Sequence, residues 1–286
     1  MRIHQKCLKY NHTFTEKSLA MRLIDTHTHI YLEQFDEDRE EMIQRALDSG
    51  VEQFFLPNID SSSITRMMAL EEAHPGRCFA MMGLHPCSVK AHFQEELAIV
   101  RDWLDERPFC ALGEIGLDLY WDKTFIEQQK EAFLLQTEWA KELGIPIVIH
   151  SREATDMLID LVEQVKDERL RGVFHCFSGT EEQARRIIEL DFYLGIGGVL
   201  TFKNAGLDKV METVGMEHLV LETDSPYLAP VPWRGKRNES AYVRLVAEKL
   251  AAIKGVSFRE VAEVTTKNAE QLFPAVVFAG GESTGN

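Results

Sequence analysis

Asp25-Thr26-His27-Thr28-His29 sets two imidazoles one residue apart, directly after the apolar run 21–24. At the end of an extended strand alternate side chains share a face, so both rings can point toward one bound ion. Such a pair also occurs as ordinary surface or packing histidines, and the metal reading depends on further ligands. They follow at intervals: Glu114, His150, His175 and Asp224 each lie at or just past the end of a strand-like run. Four imidazoles and two carboxylates suit borderline divalent ions such as Zn²⁺, Mn²⁺, Co²⁺ or Ni²⁺. They are enough for two ions sharing one carboxylate, and Glu114 is the natural bridge. Two ions about 3.5–4 Å apart lower the pKa of a shared water and clamp the attacking and leaving oxygens of a displacement, which makes hydrolysis the reaction class.

The elements that must position these residues are short apolar runs at 22–27, 53–57, 78–83, 109–114, 145–150, 172–176, 192–196 and 218–223. Between them lie segments of helical period: Ala132, Leu135, Trp139 and Leu143 recur at three- and four-residue spacing, as do Met157, Leu158, Leu161, Val162 and Val165. Thr180 with Gln183, and Ser257 with Glu260, have capping-box spacing. Eight strands alternating with helices predict a single-domain α/β chain, a (β/α)₈ TIM barrel whose site lies at the C-terminal ends of the strands. On that plan His27 and His29 close strand 1, Glu114 strand 4, His150 strand 5, His175 strand 6 and Asp224 strand 8. The competing architecture is an open doubly wound sheet, weakened by the lack of Gly-x-Gly-x-x-Gly after the first strand. The barrel domain is expected over 21–274, with 1–20 a dispensable polar extension and 275–286 a flexible tail. The helical pattern over 238–273 is expected to complete the outer ring.

Composition narrows the function classes. The chain has 286 residues, 45% of them hydrophobic, enough to bury a large core. No apolar run approaches the roughly 18 residues of a membrane span, and residues 1–20 lack a secretory pattern, so a cytoplasmic protein is expected. Five cysteines without a Cys-x-x-Cys pair disfavour a disulfide framework and a structural zinc knuckle. A net charge of −15 opposes general attraction to nucleic acid, so any phosphate must be held locally.

Local cations are available. Arg152 follows His150, and Arg234, Lys236 and Arg237 crowd the loop after strand 8, a rim fit to hold phosphate oxygens; solvated surface charge is the alternative. His85, before Pro86 at the end of strand 3, is read as a substrate contact rather than a ligand, since six ligands already serve two ions. Asp118 is either a support for a ligand imidazole or an exposed loop carboxylate. Cys176, next to His175 on a strand, should point into the barrel–helix layer. Trp121, Tyr227 and Trp233 fall in loops on the catalytic side, where they could stack on bases or pack loop against loop. His74 and His92 read as surface residues, and His218 lies at the wrong barrel end.

The motifs resemble those of the TatD-type metal-dependent hydrolases, or TatD DNases, of the amidohydrolase superfamily. The resemblance runs from about Met21 to Phe273. It rests on Ile24-Asp25-Thr26-His27-Thr28-His29, Gly83-Leu84-His85-Pro86, Gly113-Glu114-Ile115-Gly116-Leu117-Asp118 and His150-Ser151-Arg152, then on His175-Cys176-Phe177-Ser178-Gly179, Glu222-Thr223-Asp224-Ser225-Pro226-Tyr227 and Arg234-Gly235-Lys236-Arg237-Asn238. It implies that His27, His29, Glu114 and Asp224 hold one ion and Glu114, His150 and His175 the second, with Asp224 also the general base. Glu114 stands where many amidohydrolases carry a carboxylated lysine. The resemblance implies a nuclease cutting DNA phosphodiester bonds, 3′-5′ exonuclease-like, and admits Mg²⁺ beside the borderline ions. The ligands alone serve an amide, lactone or ester hydrolase equally, and a non-catalytic metal-stabilised scaffold is the third reading. DNA or another phosphodiester is the expected partner, with no membrane and no obligate protein partner.

Overall fold

The computed structural model describes residues 22–274, so the expectations for 1–20 and 275–286 fall outside the described residues. Eight parallel strands alternate with helices: β1 Leu23–Asp25, β2 Val51–Pro57, β3 Cys78–Met81, β4 Leu112–Asp118, β5 Ile147–Arg152, β6 Gly172–Phe174, β7 Phe192–Ile196 and β8 Leu219–Leu221. The helices are α1 Arg39–Asp48, α2 Ser61–Ala73, α3 Phe93–Glu106, α4 Ile126–Leu143, α5 Thr155–Val165, α6 Glu181–Glu189, α7 Leu207–Thr213, α8 Val243–Lys254 and α9 Phe258–Leu272. Parallel neighbours need a crossover, and a helix supplies each.

Pairing runs β1-β2-β3 and β4-β5-β6-β7-β8. Parallel bridges Met82↔Leu112 and Thr28↔Ser225 join the two arcs at both edges. Gly113 N–H donates to the Met82 carbonyl at 2.9 Å on one side, and Thr26 N–H to the Leu221 carbonyl at 3.0 Å on the other. The ring therefore closes as a TIM barrel rather than an open sheet, which is what brings β1 residues beside β8 residues. The β1–β8 seam is also tied by side chains: buried Asp25 accepts from Thr223 N–H at 2.9 Å and from its hydroxyl at 2.6 Å, and the Thr28 and Ser225 hydroxyls lie 2.6 Å apart.

Alternation along the strands splits the apolar residues into two cores. Ile24, Phe55, Met81, Val148, Val173 and Val220 fill the barrel interior, joined by Ala269, Leu272 and Phe273 of the last helical segment. Phe273 lies against Phe55 with ring centroids 4.3 Å apart, and a buried aromatic of this kind contributes roughly 3–5 kcal/mol by truncation. The other faces, with Phe54, Leu56, Ile115, Leu117, Ile149 and Phe174, pack under the helices.

Thr180 and Gln183 form the expected reciprocal capping box at α6, and Ser257 accepts from Glu260 N–H at α9. The strand ends differ from expectation. β4 runs on to Asp118 and β5 to Arg152, paired Asp118↔Arg152, so Glu114 and His150 lie inside their strands rather than closing them. β1 and β6 stop early, at Asp25 and Phe174, leaving His27, His29 and His175 just past the ladders. Gly116 makes the long β4–β5 pairing possible: its φ is +146°, and a Cβ there would lie 2.0 Å from the His150 carbonyl oxygen.

Candidate metal centre

The six candidate ligands come from five strands and meet at one end of the barrel. Glu114 is central and buried. Its Oε2 lies 3.2 Å from His27 Nε2 and 3.5 Å from His29 Nε2, while Asp224 Oδ1 lies 3.7 and 3.6 Å from the same two nitrogens. Its Oε1 faces the other way, 2.7 Å from His150 Nδ1, 2.8 Å from His175 Nε2 and 3.4 Å from His85 Nε2. One carboxylate thus divides the donors into two sets.

The first set fits a cation on geometry and on hydrogen bonding. Donors roughly 2.0–2.1 Å from a four-coordinate ion stand about 3.3 Å apart, close to the observed spacings. His27 is fully buried, yet neither of its ring nitrogens has a hydrogen-bond partner. A buried polar nitrogen left so is costly unless something else satisfies it. Burial, then the nearby His175, holds the His27 imidazole well below its usual pKa, so it is neutral and carries a lone pair. Burial opposes ionisation of Glu114, but the charges of the His175 and His85 rings outweigh it and hold its carboxyl well below the usual range. Burial pushes Asp224 up to about 6, a shift that an adjacent cation would reverse.

Two of the rings are held by groups outside the donor sets. Tyr31 donates its hydroxyl proton to the Pro57 carbonyl at 2.6 Å, so it must accept from His29 Nδ1–H at 3.0 Å. That fixes the tautomer whose free nitrogen, Nε2, faces Glu114 and Asp224. Asp118 accepts from His150 Nε2–H at 3.0 Å, leaving Nδ1 to face Glu114. The Asp118 carboxylate is buried and also takes Tyr120 N–H and Trp121 N–H at 3.0 and 3.1 Å, so it is the support rather than the exposed carboxylate. Glu222 Oε1 lies 3.5 Å from His175 Nδ1 and accepts Cys176 N–H at 2.5 Å.

Asp224 sits at φ +57° with its N–H donating to the His27 carbonyl at 2.9 Å, a left-handed conformation that non-glycine residues adopt at a cost. Buried Asn238 holds the loop behind it by donating to the Thr223 and Tyr227 carbonyls at 2.8 and 2.6 Å.

The cationic rim separates into different roles. Arg237 donates to both oxygens of Asp38 at 2.7 Å and to the Gln34 carbonyl, with its guanidinium 4.4 Å over Phe35. It ties the last loop to the segment before α1. Arg234 lies 4.2 Å over Phe202, and Lys236 is exposed. Arg152 is exposed and lines a cleft of about 720 Å³ with Ser151, Ser178, Thr180 and Gln183. His85 faces Glu114 and accepts Cys87 N–H at Nδ1, 3.0 Å. At Cys176 β6 has ended and φ is +49°, and burial, with Asp224, Glu222 and Glu114 nearby, pushes its thiol well up.

Tyr31 and Glu222 carried no assignment from the sequence, although a signal was present. Tyr31 continues the alternation His27-x-His29-x-Tyr31, and Glu222 precedes Asp224 at the same spacing.

The model of the family described as TatD related DNase matches residues 24–274. The chain belongs to the TatD family. Among TatD relatives, the metal-dependent hydrolase YabD of Bacillus subtilis is 41% identical over 252 residues, covering 88% of this chain and 98% of the relative. The 3′-5′ ssDNA/RNA exonuclease TatD of Erwinia tasmaniensis is 29% identical over 257 residues, covering 88% and 99%. The crystal structure of the TatD homologue YjjV from Escherichia coli superposes with a TM-score of 0.84 at 30% identity, over 90% of this chain and 99% of that one. This chain is accordingly a metal-dependent hydrolase of the TatD family, and no helix among the described residues is long and apolar enough to cross a membrane.

Proposed function

We propose that the chain is a two-ion phosphodiesterase that removes nucleotides from the 3′ end of DNA. The observation that carries this reading is the division at Glu114: Oε2 faces His27, His29 and Asp224, while Oε1 faces His150 and His175. His27, His29, Glu114 and Asp224 would hold one divalent ion, and Glu114, His150 and His175 the other. Bound there, two ions supply an activated water and charge stabilisation for an in-line displacement at phosphorus.

The chain's own groups do the rest. Asp224 takes the proton of the attacking water as general base, from an oxygen already 3.6–3.7 Å from both ring nitrogens of the His27–His29 pair. Tyr31 and Asp118 keep the His29 and His150 imidazoles oriented, and pre-set orientation lowers the reorganisation needed during reaction. Arg152, Arg234, Lys236 and His85 are the proposed contacts to phosphate or leaving group. The choice of nucleic acid over a carbonyl substrate is supported by a relative named as a 3′-5′ ssDNA/RNA exonuclease.

The test is an assay of the Mn²⁺-, Zn²⁺- and Mg²⁺-loaded protein on 3′-labelled single-stranded DNA, a phosphodiester dye and a panel of lactones. Release of 3′ mononucleotides is expected. Lactone turnover without phosphodiester cleavage would overturn the reading.

A further inference from the structure

The phosphodiesterase reading leaves a difficulty of charge. A chain of net charge −15 must hold a polyanion, yet several cations near the strand ends are already engaged. Arg237 is paired with Asp38, Arg234 lies on Phe202, and Lys123 faces Glu153 at 3.8 Å. With few cations left for phosphate, contacts to the base would supplement those to the backbone.

The β4–α4 loop offers it. Tyr120 and Trp121 are 50% and 69% exposed, unusual for large aromatics, and stand edge to face with centroids 4.8 Å apart. Arg152 lies 4.0 Å above the Tyr120 ring and 5.3 Å from that of Trp121, at the edge of the cleft it lines. The Trp121 indole is the more exposed of the two rings. The loop is also fixed relative to the reacting centre: both backbone N–H groups bind Asp118, which holds His150, which faces Glu114. An aromatic face with a neighbouring guanidinium, tied through Asp118 to the His150 ring, matches a nucleotide on two counts. The base stacks on the ring, and the phosphate meets the arginine.

We infer that Tyr120, Trp121 and Arg152 form a stacking subsite for an unpaired nucleobase next to the bond being cut. This rests on the phosphodiesterase reading and assigns these residues to holding an unpaired base, since a base already paired in a duplex cannot reach the platform.

The test compares wild type, Trp121→Ala, Trp121→Phe and Tyr120→Leu on two 3′-labelled oligonucleotides, one with ordinary thymidines and one whose last nucleotides carry an abasic sugar. Trp121→Ala should lower kcat/KM on the thymidine strand by about ten- to a hundredfold, mainly through KM, with much smaller change on the abasic strand. Trp121→Phe should recover most of the loss. Equal losses on both strands would mean that the loop acts only through Asp118 and His150, and would overturn the subsite. So would unchanged kinetics in Trp121→Ala. A wild-type protein that cuts neither strand would instead sink the phosphodiesterase reading itself.

Discussion

Tyr31→Phe removes one oxygen from a fully buried ring and should weaken one ion site while sparing the other. The hydroxyl has two partners, the Pro57 carbonyl at 2.6 Å and His29 Nδ1 at 3.0 Å, and both lose their bond together. Leaving a buried polar group unsatisfied costs about 1–3 kcal/mol, which for a domain of this size lowers the melting temperature of the metal-free protein by roughly 2–8 °C. The effect on metal is separate. Without the phenol, the His29 ring is free to carry its proton on Nε2, the nitrogen that faces Glu114 and Asp224, and loss of such a partner typically lowers metal affinity about 10- to 100-fold. The clean assay is chelator competition in a His150→Ala/His175→Ala background, where only the first donor set is intact, with and without Tyr31→Phe. The complementary His27→Ala/His29→Ala background should show less than about threefold change on adding Tyr31→Phe. Wild-type affinity in the first background would show that Tyr31 does not set the tautomer, and the reasoning would fail.

Other outcomes follow from the same geometry. Asp224→Asn should retain both ions by metal analysis while turnover falls about 10²- to 10⁴-fold; near-full rate with both ions bound would remove its role as base. Gly116→Ala should destabilise by at least about 3 kcal/mol, because a Cβ would meet the His150 carbonyl and the left-handed backbone is strained as well; a melting temperature within 3 °C of wild type, by the same scaling as above, would contradict that. Arg237→Ala should cost no more than about 1 kcal/mol at pH 7, the pair being one-third exposed. The hydrogen bond from Arg237, against the opposing effect of burial, pulls the Asp38 carboxyl down to about 2. A depressed carboxylate pKa contributes stability above the unfolded value near 4 and loses it as pH falls toward 2, so the gap between wild type and Arg237→Ala in urea midpoint should narrow across that window. A gap constant from pH 6 to pH 2.5 would rule out the ion pair as its source.

The barrel was legible because each strand is a short apolar run and each helix carries its own period, and all eight runs became strands. What periodicity could not supply is where each strand stops. Glu114 sits within β4 because Gly116 admits the His150 carbonyl, a contact that depends on a neighbour 34 residues away in the chain. His175 and Asp224 lie just beyond their strands, His175 followed by Cys176 at a positive φ and Asp224 at one itself, and an alternation rule cannot place such residues. Donor types at roughly the right places were visible in the sequence. The partners that orient them were less so, since Tyr31 and Glu222 are ordinary core residues until the imidazole beside each is located. Arg237 shows the same limit: its basic cluster is visible in the sequence, but its pairing with Asp38, nearly 200 residues earlier, is not.

The most direct test of the central claim, that Glu114 divides two ion sites, is the metal content per chain after equilibrium dialysis against Mn²⁺ or Zn²⁺. Wild type should hold two equivalents, His27→Ala/His29→Ala and His150→Ala/His175→Ala should each hold one, and Glu114→Ala should lose both. A single equivalent in the wild-type protein, or two remaining after either histidine pair is removed, would contradict it.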